Sequence, residues 1–209
     1  MNLDNDMEQE RQEGSDDFRY DIQNSLNASE KRKNAMNELY EWIESSVFAV
    51  ILILLVFTFF VRTAFVSGSS MVPTLHDGER LILQQIGYTD PQYGDIIVID
   101  RTQSDEPPII KRVIGKEGDL IDIDFENGVV ARNGKVLDEP YVNEPTLTER
   151  DVEFPVEVPE GTLFVLGDNR NHSADSRTQD IGMIDLHRVM GKAVFRFFPL
   201  GNAGAITHQ

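Results

Sequence analysis

The feature that most constrains this chain is "VFAVILILLVFTFFV", Val47 to Val61, which contains no charge, no glycine and no proline. As a helix it is apolar on every face, so it has to be covered all round, either by protein or by lipid. At about 1.5 Å per residue it rises roughly 22 Å, short of the ~30 Å hydrocarbon core of a bilayer. The flanks close the gap: Ile43 precedes the run, Ala64, Phe65 and Val66 follow it, and Glu44 and Arg62 can turn their tips toward the headgroups. The expectation is a single membrane helix over residues 43–66. Tyr40 and Trp42 suit the interfacial aromatic belt, and Lys31-Arg32-Lys33 favours a cytoplasmic N-terminus, a vote that Arg62 on the far flank weakens. A cleaved signal peptide would need a short basic start and small residues at its exit, whereas this run follows an acidic segment and leaves through Arg62 and Phe65.

That acidic segment, residues 1–42, is rich in Asp, Glu, Gln and Asn and poor in large apolar residues, which predicts a largely disordered stretch with a helix starting near Lys31. The whole chain has 209 residues and a formal net charge of -17. Such acidity, with no long basic cluster, excludes nucleic acid as a partner, because a polyanion rewards clustered Lys and Arg. With no cysteine there is no disulfide framework, thiolate metal site or Cys nucleophile.

After Val66 the periodicity changes. Short β-branched runs such as "LILQQI", "DIIVID", "PIIKRVIG", "LIDID" and "TLFVLGD" alternate with Gly, Pro, Asn and Asp, the pattern of strands and turns. Residues 67–209 therefore read as one β-rich domain. Asn133-Gly134, between "VVAR" and "KVL", is a strong two-residue hairpin signal. Glu144 to Pro159, crowded with proline and charge, reads as a loop or edge ribbon.

Three segments hold the reactive chemistry. "SGSSMVPTL", Ser67 to Leu75, offers serine hydroxyls, which are poor nucleophiles until a base takes the proton. One candidate base is His172 in "GDNRNHSADSR", giving a triad with Ser70 and Asp175 that spacing alone does not support. The other is Lys111 in "PIIKRVIG", where alternation sets Ile109 and Val113 beside it on one face. A lysine pKa near 10.4 leaves almost no neutral amine at pH 7, but burial lowers it by up to ~3–5 units. The plainer alternative is a lysine that snorkels past the strand edge, as Arg112 would. "GDNRNHSADSR" itself, two Asp, two Arg, two Asn and two Ser after an apolar strand, suggests a tight loop held by Asp–Arg pairing.

Taken in order, the apolar span, "SGSSMVPTL", "YGDIIVI", "IIKRVIGKEGD" and "GDNRNHSADSR" resemble the bacterial type I signal peptidases, up to about Pro199. The resemblance implies a mainly β catalytic domain of the signal-peptidase/LexA-like kind preceded by one N-terminal transmembrane helix. It implies a Ser-Lys dyad of Ser70 and Lys111, with Ser173 hydrogen-bonding the lysine amine. Asp168, Arg112, Asp175 and Arg177 would form a charge network holding the last segment against the lysine strand. Gly68 stands where some members carry a serine that helps bind the oxyanion, so the oxyanion hole would rest on backbone, chiefly the Ser70 N–H, as in the compact Gram-positive branch. About 55 residues between Lys111 and Gly167 leave room for a small cap ribbon over about 116–160.

The same likeness implies cleavage of signal peptides after Ala-X-Ala type sites, with shallow pockets lined by Val66, Met71, Leu75 and Ile110. No metal or other cofactor is implied. The partners would be preprotein signal peptides emerging from the secretion machinery, and membrane lipid. The protein would sit in the cell membrane as a single-pass chain with its catalytic domain outside the cytoplasm. Two other readings remain: an autoproteolytic repressor of the same Ser-Lys class, which would need a DNA-binding module and no span, and a membrane-tethered assembly module with structural Ser and Lys segments.

Overall fold

The structure is a computed structural model and describes residues 31–34, 36–55, 62–101 and 106–207. It divides into two compact units, Met1–Phe57 and Thr58–Gln209. In the first, residues 31–34 and 36–55 are helical with every described side chain exposed, including Phe48, Ile51, Leu52 and Leu54. Among the described residues no helix is long and apolar enough to cross a membrane. Residues 56–61, which complete the apolar run, and residues 1–30, expected to be disordered, lie outside the described residues.

The far end of the expected span is corrected. Arg62–Phe65 is not helical but forms strand β1, paired antiparallel with β2 (Arg80–Gln84) in the register Arg62↔Leu83 to Phe65↔Arg80. Thr63 and Phe65 suit a strand as readily as an apolar helix end, and here the β2 ladder decides the conformation.

The second unit is mainly β, as expected. Its larger sheet runs β1-β2-β11-β3-β4-β9-β10, with β12 (Gly204–Ala205) also on β11 (Val189–Phe198). β3 (Ile96–Ile99), β4 (Ile109–Lys116) and β9 (Thr162–Leu166) form its centre, and β10 (Ile184–Asp185) its edge. The smaller sheet, ordered β7-β6-β5-β8, contains β5 (Leu120–Asp124), β6 (Val129–Arg132), β7 (Lys135–Val136) and β8 (Val156–Glu157). The β6–β7 hairpin turns on Asn133 and Gly134 at φ 53° and 74°, the left-handed pair that a two-residue turn of this hand requires.

Bulges in β11 and between Val113 and Gly115 of β4 curl the larger sheet. One cluster, Ile114, Phe164 and Leu166 with Ile121, Ile123 and Val130, joins the two sheets. A second, Ile97, Ile99, Val113, Val165 and Ile184, fills the space over β3, β4 and β9. A third holds Val66, Met71 and Leu75 against Leu81, Leu83, Ile96, Val98 and Ile110. Burying each such aliphatic side chain contributes about 1.5–3 kcal/mol, so the segment after β1 is pinned to the sheet by the residues on either side of Ser70.

Candidate active site

Ser70 sits at the start of a tight turn. Val72 N–H donates to Ser69 O at 3.1 Å and Leu75 N–H to Met71 O at 2.9 Å. Gly68, at φ 86°, reverses the chain, and its N–H donates to Asp77 Oδ1 at 2.7 Å. A residue with a Cβ would hold that left-handed conformation at a cost of about 1–2 kcal/mol. Ser70 itself is half-buried. Its backbone N–H has no acceptor among the described residues, whereas that of Gly68 is taken.

Lys111, central in β4 and paired with Ile97 of β3, brings its Nζ 2.9 Å from Ser70 Oγ and donates to Ile110 O at 3.0 Å. It is 3% exposed. Burial pushes its pKa down to about 8; Arg101 lowers it further, while Asp175 and Asp168 pull the other way. The lysine does not snorkel, because β3 and β9 cover its strand on both sides. His172 lies elsewhere: exposed, its Nδ1 is 3.2 Å from Asn169 Oδ1. Asp175 accepts from Gly167 N–H and from Arg177, so the histidine triad is not assembled.

The loop after β9 closes over this pair. Asn169 N–H donates to Ser70 O and its Nδ2 to Ser69 O, each at 3.0 Å. Gly167 is the point of closest approach: a Cβ there would fall 2.5 Å from Ser70 O and 2.2 Å from Ser173 Oγ, so only glycine fits. Ser173 is thus buried beside Ser70, but the expected bond to the lysine is not made. Its hydroxyl donates to Ala174 O at 3.4 Å instead.

The expected charge network separates into two units. Arg112 meets Asp168 as a fork, Nε to Oδ1 at 2.8 Å and Nη2 to Oδ2 at 2.7 Å, and also donates to Gly94 O. Thr74 donates to Asp168 Oδ2 at 2.5 Å, tying the turn of Ser70 to the same carboxylate. This pair bridges lysine strand and loop. Arg177 instead forks onto Asp175 within the loop and reaches Arg170 O and Thr148 O.

Against this geometry stand the comparisons with known proteins. Residues 39–198 match the family model described as signal peptidase, peptidase S26. The chain belongs to that family. A signal peptidase I from Bacillus licheniformis is 41% identical over 81% of this chain and 94% of its own length. Signal peptidase I T of Bacillus subtilis is 38% identical over 84% of this chain and 93% of its own. A solved structure of a signal peptidase I from Enterococcus faecalis is 28% identical, covers 49% of this chain and 96% of that one, and has a TM-score of 0.39. As a member of the family the chain is a hydrolase, a serine peptidase that cleaves signal peptides.

One reading of the site residues needs revision, and one contact was missed. Val66, Met71, Leu75 and Ile110, expected to line substrate pockets, are core members, and Leu75 at 0% exposure has no surface to offer a substrate. Arg170, which is buried, pairs with the half-buried Glu139, a contact that sequence reasoning missed. Arg170 was present in the loop motif, but its partner is 31 residues away in the unremarkable "LDEPY", and no local pattern marks it.

Proposed function

We propose that this family member is a membrane-anchored endopeptidase that uses Ser70 as nucleophile and Lys111 as general base to cut preproteins after Ala-X-Ala type sites. The observation that carries the reading is the 2.9 Å approach of a buried lysine amine to a serine hydroxyl. With a pKa of about 8, roughly one-tenth of Lys111 is neutral at pH 7. An ordinary lysine would offer about four parts in ten thousand.

Neutral Lys111 accepts the Ser70 proton as Oγ attacks the scissile carbonyl. The free N–H of Ser70 is suited to the oxyanion that forms, and the lysine, now protonated, gives its proton to the leaving amine. Water activated by the same amine then releases the acyl-enzyme. The Ile110 carbonyl, accepting an N–H from Nζ, orients the amine so that its lone pair can face Ser70. Anchoring is supported by the exposed, wholly apolar face set of residues 47–55, which water does not tolerate. The acidic start carries Lys31-Arg32-Lys33, the basis for a cytoplasmic N-terminus.

The test is cleavage of a signal-peptide-bearing preprotein by the purified full chain in detergent. Ser70→Ala and Lys111→Ala are each expected to lower kcat by about 10³-fold or more, with His172→Ala close to wild type. Because the base must be deprotonated, kcat/KM should rise with pH through a limb near 8. Near-normal cleavage by Lys111→Ala together with a dead His172→Ala would sink the dyad and restore the triad.

A further inference from the structure

Arg170 is fully buried and carries more defined contacts than any role described so far requires. Its Nε donates to Gly167 O at 3.0 Å; its two terminal nitrogens each meet a Glu139 oxygen at 2.7 Å, and Nη1 also donates to Thr146 Oγ1 at 3.1 Å. Gly167 is the residue wedged against Ser70 O and Ser173, and the next two residues, Asp168 and Asn169, hold Arg112 with Thr74 and the Ser70 carbonyl. The segment that supplies Glu139 is fastened to the same loop elsewhere. Asn171 Oδ1 accepts from Leu147 N, Thr148 N and Thr148 Oγ1, its Nδ2 donates to Glu144 and Pro145 O, and Tyr141 stacks 3.9 Å over the Arg112 guanidinium.

We propose that Arg170, clasped by Glu139 of the connection between β7 and β8, is a positioning residue: it fixes the Gly167 carbonyl and thereby the placement of Ser70 against Lys111. The proposal rests on the Ser70–Lys111 reading above. A salt bridge kept only for stability is a poor use of a buried site, since a hydrophobic replacement does as well. What an apolar pair does not supply is the directed Nε–H to Gly167 O. A displacement on the order of 1 Å at the reacting atoms costs roughly a hundredfold in rate, so a modest slackening of the loop is enough to register in kcat.

The experiment compares full-length Arg170→Lys and Glu139→Gln with wild type on the same preprotein, at a temperature where circular dichroism shows each variant folded. Arg170→Lys keeps the charge beside Glu139 but has no second nitrogen to reach Gly167 O. Ser70→Ala runs alongside as the control on the underlying mechanism. The expected result is kcat lowered about tenfold or more with KM within about threefold, and the limb of kcat/KM moved upward from about 8 as water reaches Lys111 and its burial is relieved. Any other pattern overturns the proposal, including wild-type kcat or a change confined to KM or melting temperature. Wild-type cleavage by Ser70→Ala would instead overturn the dyad itself, so the two failures are distinguishable.

Discussion

Lys111 and Arg112 are consecutive residues of β4, both basic and both buried, at 3% and 1% exposure, yet their surroundings differ completely. Arg112 receives a carboxylate fork from Asp168, a carbonyl from Gly94 and the face of Tyr141. Lys111 receives a serine hydroxyl and its neighbour's carbonyl, with no carboxylate in hydrogen-bond reach among the described residues. Compensated burial leaves a permanent cation that fastens the loop to the strand. Uncompensated burial destabilises the charged form and leaves a proton acceptor near neutral pH.

The largest test of that contrast removes the compensation from Arg112. Asp168→Asn preserves the shape of the side chain but leaves a buried guanidinium without its counter-charge, and breaking such a pair costs about 3–5 kcal/mol. Urea denaturation of the full chain should show this as a lowered midpoint. A loss below about 1 kcal/mol would mean that Gly94 O and Tyr141 suffice and that the two residues differ less than their contacts suggest.

Sequence reasoning reaches part of this contrast. Alternation along "PIIKRVIG" sets apolar neighbours beside Lys111, but a snorkelling lysine on an edge strand shows the same pattern. What decides is that β4 lies between β3 and β9, and the β9 pairing joins Arg112 to Leu166, far along the chain. The loop motif likewise displays its chemical inventory without its partners: Asp168 and Asp175 look equivalent in sequence, yet one bridges elements and the other closes on Arg177 two residues away. The strand-and-turn rhythm and the Asn133-Gly134 hairpin were legible because both are local. The end of the apolar run was not, since Arg62–Phe65 becomes a strand only through Arg80–Gln84. Glu144 to Pro159 read as a loop or edge ribbon, and β8 at the sheet edge fits that reading, but its fastening was not legible because it comes from Asn171, Arg177 and β5 rather than from its own residues.

A second prediction concerns the cost of keeping Lys111 unpaired. Its folded pKa, about 8, lies below the ordinary 10.4, so between those values the unfolded chain binds more protons and stability rises with pH. Below pH 8 the full penalty applies, on the order of 3 kcal/mol. Lys111→Met removes the titrating group while keeping an unbranched side chain. It should be more stable than wild type at pH 7 by about 1–3 kcal/mol, the loss of the bond to Ile110 O accounting for the range. The advantage should shrink steadily above pH 8 and be gone by about pH 10.4. A variant less stable than wild type at pH 7 would show that the amine is better accommodated than its contacts indicate.

The smallest expected effect separates the two sources of Arg112's compensation. The Tyr141 ring lies 3.9 Å from the guanidinium carbon, close enough for its negative face to attract the cation, and its hydroxyl donates to Glu139 at 3.0 Å. Ring attraction of this kind is worth about 0.5–2 kcal/mol, well below what an unpaired buried charge costs. Tyr141→Leu should therefore lower stability by about 0.5–2 kcal/mol. Tyr141→Phe, which keeps the ring and loses only the hydroxyl, should cost no more than about 1 kcal/mol. In combination with Asp168→Asn, Tyr141→Leu should cost more than it does alone, because the ring is then the main remaining neighbour that favours the charge. Strict additivity of the two losses would instead mean that ring and carboxylate act on Arg112 independently, and that the fork alone distinguishes it from Lys111.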